Sequence, residues 1–274
     1  MKYRLLVVIS FVAVALFWIA LALVPVANHA AVFRVEVELA KTAALVGCAA
    51  AAVRFGRGDY LRNAWLLLGQ CYGLILVNDV FLREGTGALG HESWAPVTSG
   101  IVIFVANVGQ LVGTVMIARV WRVAGFELAG SPMVRRAVVL VAVAIALVSA
   151  GQLVVTSARE MAHGQTGASV DLFSSIADII SFSLIAPFLL TAIAFRGGSL
   201  GWTWALLTAS LFGWLLFDAT LSFGAAISAN ADAVKRVSES ARLLACGFGM
   251  AAGLAQRMAV RSAPPSTVMA TAPN

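Results

Sequence analysis

Read from its start, the chain alternates long apolar runs with short polar interruptions. Eight runs approach the about 20 residues that a helix needs to cross a hydrocarbon layer about 30 Å thick. They cover 5–27, 35–55, 64–81, 97–120, 137–156, 172–195, 202–227 and 238–257. Each is continuously apolar, whereas the strands of a lipid-spanning barrel alternate in polarity over roughly ten residues. The pattern therefore predicts an all-α polytopic membrane protein with eight transmembrane helices.

Composition agrees. Hydrophobic residues make up 61% of the chain and charged residues 12%, and the mean hydropathy is +0.92. Soluble domains carry roughly a quarter charged residues. The net charge of +6 does not point to nucleic acid, because it is concentrated in alternate connections. With the N-terminus inside, the basic side holds residues such as Arg57, Arg62, Arg119, Arg122, Arg135 and Arg136, with Asp59 and Glu127 as its acids. The other connections hold bases and acids in near balance. Lys and Arg are retained on the cytoplasmic face, so the expected location is a cell membrane of the bacterial inner-membrane type, with both termini cytoplasmic. The first run, preceded by MKYR and followed by VANHA, could be mistaken for a signal peptide. It is too long for the usual apolar core of 7 to 15 residues, and a helix 1 retained in the membrane is expected, with seven helices as the alternative after cleavage. Cys48, Cys71 and Cys246 all fall inside apolar runs, which favours buried thiols over a disulfide framework.

The chain also repeats itself. RGDYLRNAW at Arg57 and RGGSLGWTW at Arg196 share R-G-x-x-L-x-x-x-W at an offset of 139. The same offset matches Leu68 with Leu207, Leu76 with Leu215 and Asp79 with Asp218. The chain reads as two tandem four-helix units, 1–130 and 131–260, followed by a disordered cytoplasmic tail, 261–274, rich in Pro, Ala, Ser and Thr. An even number of crossings per unit makes the repeats parallel, related by an axis along the membrane normal. Arg57 and Arg196 are expected to anchor cytoplasmic turns, with Trp65 and Trp204 at the membrane interface.

At about 100° per residue, positions 65, 68, 72, 76 and 79 share one face of the third helix, and 204, 207, 211, 215 and 218 share the equivalent face of the seventh. The recurring Trp, Leu and Asp suggest a shared role for that face. Ionisable groups within a membrane usually face the bundle interior or water. Asp79 and Asp218 lie fourteen residues, about 21 Å, beyond the tryptophans. Asp178 and Glu38 fall at a similar outer depth, with Asn78 beside Asp79. This predicts an outward-facing vestibule of carboxylates for a cation, a proton or an amine-bearing solute, with Arg242 among the pathway residues; the structural alternative bonds Asp79 and Asp218 to neighbouring helix ends or to Arg242.

Other features are weaker. Asn107, Gln110 and Thr114 form a polar stripe on the fourth helix, explained by hydrogen bonds between helices. The spacings Gly69-x-x-x-Gly73, Gly109-x-x-x-Gly113 and Gly249-x-x-x-Gly253 suit internal packing. His29, His91 and His163 fall in external connections and are weak metal candidates, without ligand spacing. No elbow, zinc or phosphate-loop motif is present, no cofactor is indicated, and the lysines are expected near helix ends. The leading expectation is an integral permease or channel-like protein for a small cationic or polar solute. The alternative is a sensory, assembly or scaffold subunit acting through a protein partner at its cytoplasmic loops, notably Arg119 to Arg136. The remaining contact surface is the lipid bilayer.

Overall fold

The computed structural model describes residues 2–83, 87–120, 128–165, 167–227 and 230–261. These residues are helical with short connections, and no strand occurs among them. The predicted tail beyond Arg261, Glu84 and the centre of the 119–136 loop lie outside the described residues. The elements are α1 (Lys2–Leu23), α2 (His29–Ala52), α3 (Tyr60–Val77) continued by a π-helical turn (Asn78–Leu82), and α4 (Ala95–Ala118). There follow α5 (Pro132–Ala162), α6 (Ala168–Ser183), α7 (Ile185–Ala194), α8 (Ser199–Ile227) and α9 (Ala231–Arg261).

Among the described residues, seven helical stretches are long and apolar enough to cross a membrane, with α3 plus its π turn forming one and α6 plus α7 another. This makes the chain an integral membrane protein. The eighth long helix, α2, is set apart by charge rather than length, since any 18-residue stretch of it holds at least three of Arg34, Glu36, Glu38 and Lys41. The helices begin earlier than the apolar runs imply, because charged first turns have low hydropathy yet form good helix. Thus α2 starts at His29 rather than 35, and α9 at Ala231 rather than 238.

Local chemistry sets the breaks. Gly58 and Gly197 both take the left-handed backbone, with φ of +85° and +92°, a region that costs an L side chain roughly 1 kcal/mol or more. The repeated R-G pair is thus one turn geometry used twice to enter α3 and α8. Asp59 caps α3 by accepting the Leu61 amide at 2.7 Å. Between α6 and α7, Pro187 has no amide hydrogen to offer Ser183, and the helix is interrupted at Leu184.

Helices in lipid gain no hydrophobic driving force from one another, so packing rests on close contact, which small residues allow. The tightest crossing is α2 on α9. A Cβ on Gly47 would stand 2.5 Å from the Met250 Cα, and one on Gly253 would run into the Gly47 carbonyl. On α4, a Cβ at Gly113 would come within 3.0 Å of the Ala64 carbonyl oxygen on α3. The Gly-x-x-x-Gly spacings do pack helices internally. α1 lies on α9, with Phe11 edge-on to Phe248 at 5.8 Å and the Trp18 indole donating to the Ser240 hydroxyl at 3.0 Å.

Trp65 and Trp204 are packed inside the bundle, only 1% and 5% exposed, and α3 and α8 begin at Tyr60 and Ser199, each more than a turn before its tryptophan. One expectation changes here. Lys41 is not near a helix end, since the early start of α2 leaves it twelve residues inside, buried.

Replacing Gly253 with Ala should lower the detergent melting temperature, with overpacking costing about 1–3 kcal/mol. Gly151→Ala, on a helix surface where the added carbon meets nothing within 4 Å, should leave it unchanged or slightly raised.

Candidate functional site

The end of the bundle where α1 begins is called proximal, and the end where α2 begins distal. The distal end carries an ionic network built on α2, α3 and α9. The helical stripe Phe33, Val37, Ala40, Ala44, Gly47 and Ala51 is the buried face of α2, and its small residues let α9 come close enough for long side chains further along to meet. Lys41 donates to Asp79, and the Arg83 guanidinium lies 3.7 Å from the same carboxylate. Arg242 pairs with Glu239 one turn earlier on α9, and its guanidinium sits 5.2 Å from the Phe217 ring centre. Glu38 faces Arg34 at 3.7 Å, and the Lys235 ammonium lies 4.7 Å from the Phe33 ring centre.

These groups surround a basin of about 180 Å³, lined by Arg34, Arg83, Lys235 and Arg242 against Glu38, Asp79 and Glu239. The predicted carboxylate vestibule is thus a mixed network in which Asp79 already holds a lysine. Asp79 and Asp218 are not brought together. Asp218, on α8, has Asp178 of α6 as its charged neighbour. The two helices differ beyond this point: α3 passes into the π turn, closed by the Arg83 amide on the Asn78 carbonyl at 2.9 Å, whereas α8 continues as α-helix past Asp218. Arg242, counted with the pathway residues, lines the basin and is paired to Glu239.

Two more cavities follow proximally along α3. A central one of about 40 Å³ is lined by Trp65, Leu68, Cys71 and Tyr72 of α3, Leu207, Ser210, Leu211 and Trp214 of α8, and Gln110 and Thr114 of α4. That is room for about three waters. The Trp214 indole donates to the Tyr72 hydroxyl across it at 3.5 Å. A proximal cavity of about 170 Å³ is lined by Leu61 and Trp65 of α3, Leu200, Thr203, Trp204 and Leu207 of α8, and Gln256 of α9. Trp65 and Leu207 border both. The faces singled out by the repeat therefore do look into shared space. Neither cavity has an ionised side chain on its wall, but both have polar groups. The Trp65 indole nitrogen and the Thr203 hydroxyl are buried without a hydrogen-bond partner.

No known family, curated protein or solved structure matches the chain. What it can do is therefore read from its own groups.

Asn78 is buried and accepts from the Ser99 hydroxyl at 2.6 Å, tying the end of α3 to α4. The polar stripe on α4 behaves as expected: Asn107 bonds Ser174 of α6, and the Cys71 thiol donates to Gln110 at 3.2 Å. The three cysteines are free and buried. His29 opens α2 rather than lying in a connection, and its Nε2 bridges the carbonyls of Leu21 and Val24 at 3.0 and 3.2 Å, closing the end of α1. His91 is exposed beside Glu92 at 3.4 Å, and His163 caps α5. Among the described residues no three His, Cys, Asp or Glu side chains stand together as metal ligands.

The sequence reading passed over one residue. Glu36 is given no role there, yet it is 8% exposed and neither of its carboxyl oxygens has a hydrogen-bond partner. The stripe of small residues on α2 is the signal that finds it, because that stripe turns Glu36 inward and Glu38 toward the basin.

Removing one partner of a buried ion pair strands the other, at about 3–5 kcal/mol, whereas removing both is far milder. Lys41→Met alone should therefore strongly lower unfolding stability in detergent, and Lys41→Met combined with Asp79→Asn should recover most of the loss. Equal melting of single and double variants would show that the pair is not the stabilising contact.

Proposed function

We propose that the protein is a permease for a small polar solute of low net charge, taken in from the distal basin and passed along α3 and α8. The observation that carries this reading is the series of three cavities along α3. In the proximal one Leu61 and Trp65 meet their repeat counterparts Leu200 and Trp204 on a common wall. Pathways through membrane proteins run where polar groups face inward, and apolar side chains at a constriction gate them. Trp65 and Leu207, shared by two cavities, stand where such a constriction belongs.

The walls favour the polar member of the expected solute class over the cationic one. Asp79 is committed to Lys41, the basin wall carries four bases against three acids, and an ion in the central or proximal cavity would have no opposite charge on the wall. Hydrogen-bonding groups of a neutral solute could instead meet Trp65 Nε1, Thr203, Gln110 or Gln256.

The same reading takes the chain as eight crossings in two parallel four-helix units, with α2 as the second crossing. The packing between halves supports it. α2 of the first half lies on α9 of the second, and α6 of the second lies on α4 of the first, which are equivalent pairings under the repeat. α1 departs, lying on α9, whereas α5 lies on α6 of its own half. With the arginine-rich turns cytoplasmic, the basin opens outward.

Proteoliposomes containing the full chain should reswell faster than empty vesicles after an osmotic shock with urea or glycerol, and no faster with potassium chloride. Gly249 faces the central cavity, where a Cβ would stand 3.3 Å from the Tyr72 hydroxyl. Gly249→Leu should slow reswelling about tenfold, corresponding to roughly 1.4 kcal/mol of barrier, with the folded protein retained. Reswelling equal to that of empty vesicles would overturn the reading.

A further inference from the structure

We infer that Glu36 is a proton-exchange site of the protein, and that loss of its proton redraws the ion pairs around the distal basin. For its consequence in transport this rests on the permease reading; for the site itself it does not.

The argument begins with what surrounds the carboxyl. Both oxygens are shielded from solvent and neither is hydrogen-bonded. Lys41 and Arg242 act on Glu36 through their charge, yet Lys41 is bonded to Asp79 and Arg242 to Glu239. A carboxylate denied both water and hydrogen bonds is costly to bury, while a neutral acid is not. The arrangement thus suits a protonated Glu36 flanked by two cations already held by other acids.

Loss of the proton reverses the balance. When an opening of the packing admits a water to the carboxyl, the O–H bond breaks, the proton passes to that water, and a third carboxylate competes for the same two cations. Arg242 is placed to answer, because its Nε is buried without an acceptor and can turn to Glu36 without a new donor being created. The titratable groups facing this centre are Lys41 on α2, Asp79 on α3, and Arg242 and Cys246 on α9. α1 contributes Ala13, Leu16, Phe17 and Ala20, none of which titrates. Since Asp79, Glu239 and Arg242 all line the basin, any exchange of partners alters its wall.

The other side of Glu36 supplies the means of testing. It borders an apolar groove of about 530 Å³ between α1 and α2, with Leu16, Val32, Val35, Leu39 and Leu243 on its walls. An apolar carbodiimide can approach along that groove. The protonated carboxyl adds across a C=N bond of the reagent to give an O-acylisourea, which rearranges to a stable N-acylurea. Acid and reagent are both retained in the adduct and nothing else is consumed, so only the protonated acid is marked.

The full chain in proteoliposomes, treated with dicyclohexylcarbodiimide, should carry the adduct on Glu36 by peptide mass spectrometry. Labelling should fall at least about tenfold across the range from about pH 5 to about pH 9 in which a buried glutamic acid loses its proton. A water-soluble charged carbodiimide should leave Glu36 unmarked. As a second readout, a cysteine introduced as Val37→Cys on the basin wall should react with a water-soluble maleimide faster as pH rises, by more than in the same variant also carrying Glu36→Gln. No adduct on Glu36 at any pH in the folded wild-type protein would overturn the site. Equal maleimide acceleration with and without Glu36→Gln would overturn its link to the basin. An adduct on Glu36 together with no solute movement would uphold the site and remove the permease reading instead.

Discussion

The structure depends on how closely α2 approaches α9. In water that contact would be driven by apolar burial; between helices in lipid it comes from backbone meeting backbone, which Gly47 and Gly253 permit by having no side chain. The crossing joins the two halves of the chain. It also decides which charges can meet, since Glu36 and Lys41 ride on one of these helices and Glu239 and Arg242 on the other.

Charge within a membrane protein must be answered locally, and this chain does so in two ways. At the distal end each acid of the basin has a base beside it, and with four bases to three acids on its wall the basin leans positive. Further along α3 the walls change to indoles, hydroxyls, amides and thiols. A charged solute favoured at the first stage would be penalised at the second.

Much of this was legible in the sequence, and the failures share a cause. Apolar runs locate helices because a bilayer demands about 20 such residues, but they mark where hydrocarbon lies rather than where helices begin. Lys41 was therefore placed too near a helix end. Periodicity correctly put Trp65, Leu68 and Tyr72 on one face opposite Leu207 and Leu211. It did not supply the partners of Asp79, although α3 is unbroken α-helix from Trp65 to Val77. No local rule reveals that Asp79 would find Lys41 while its repeat counterpart faced Asp178, since those partners come from tertiary packing. Glu36 was legible in principle, through the small residues that mark the inner face of α2.

The three cysteines have a consequence of a different kind. None is joined to another, and each is enclosed by packed helices, at 1% exposure for Cys48, 2% for Cys71 and 0% for Cys246. Thiol reagents act on accessible thiolates, so the natural chain is chemically silent toward polar labels while it remains folded. It can accept a reporter cysteine without first being stripped of its own, and unwanted labelling of the native three becomes a direct signal that the helices have come apart.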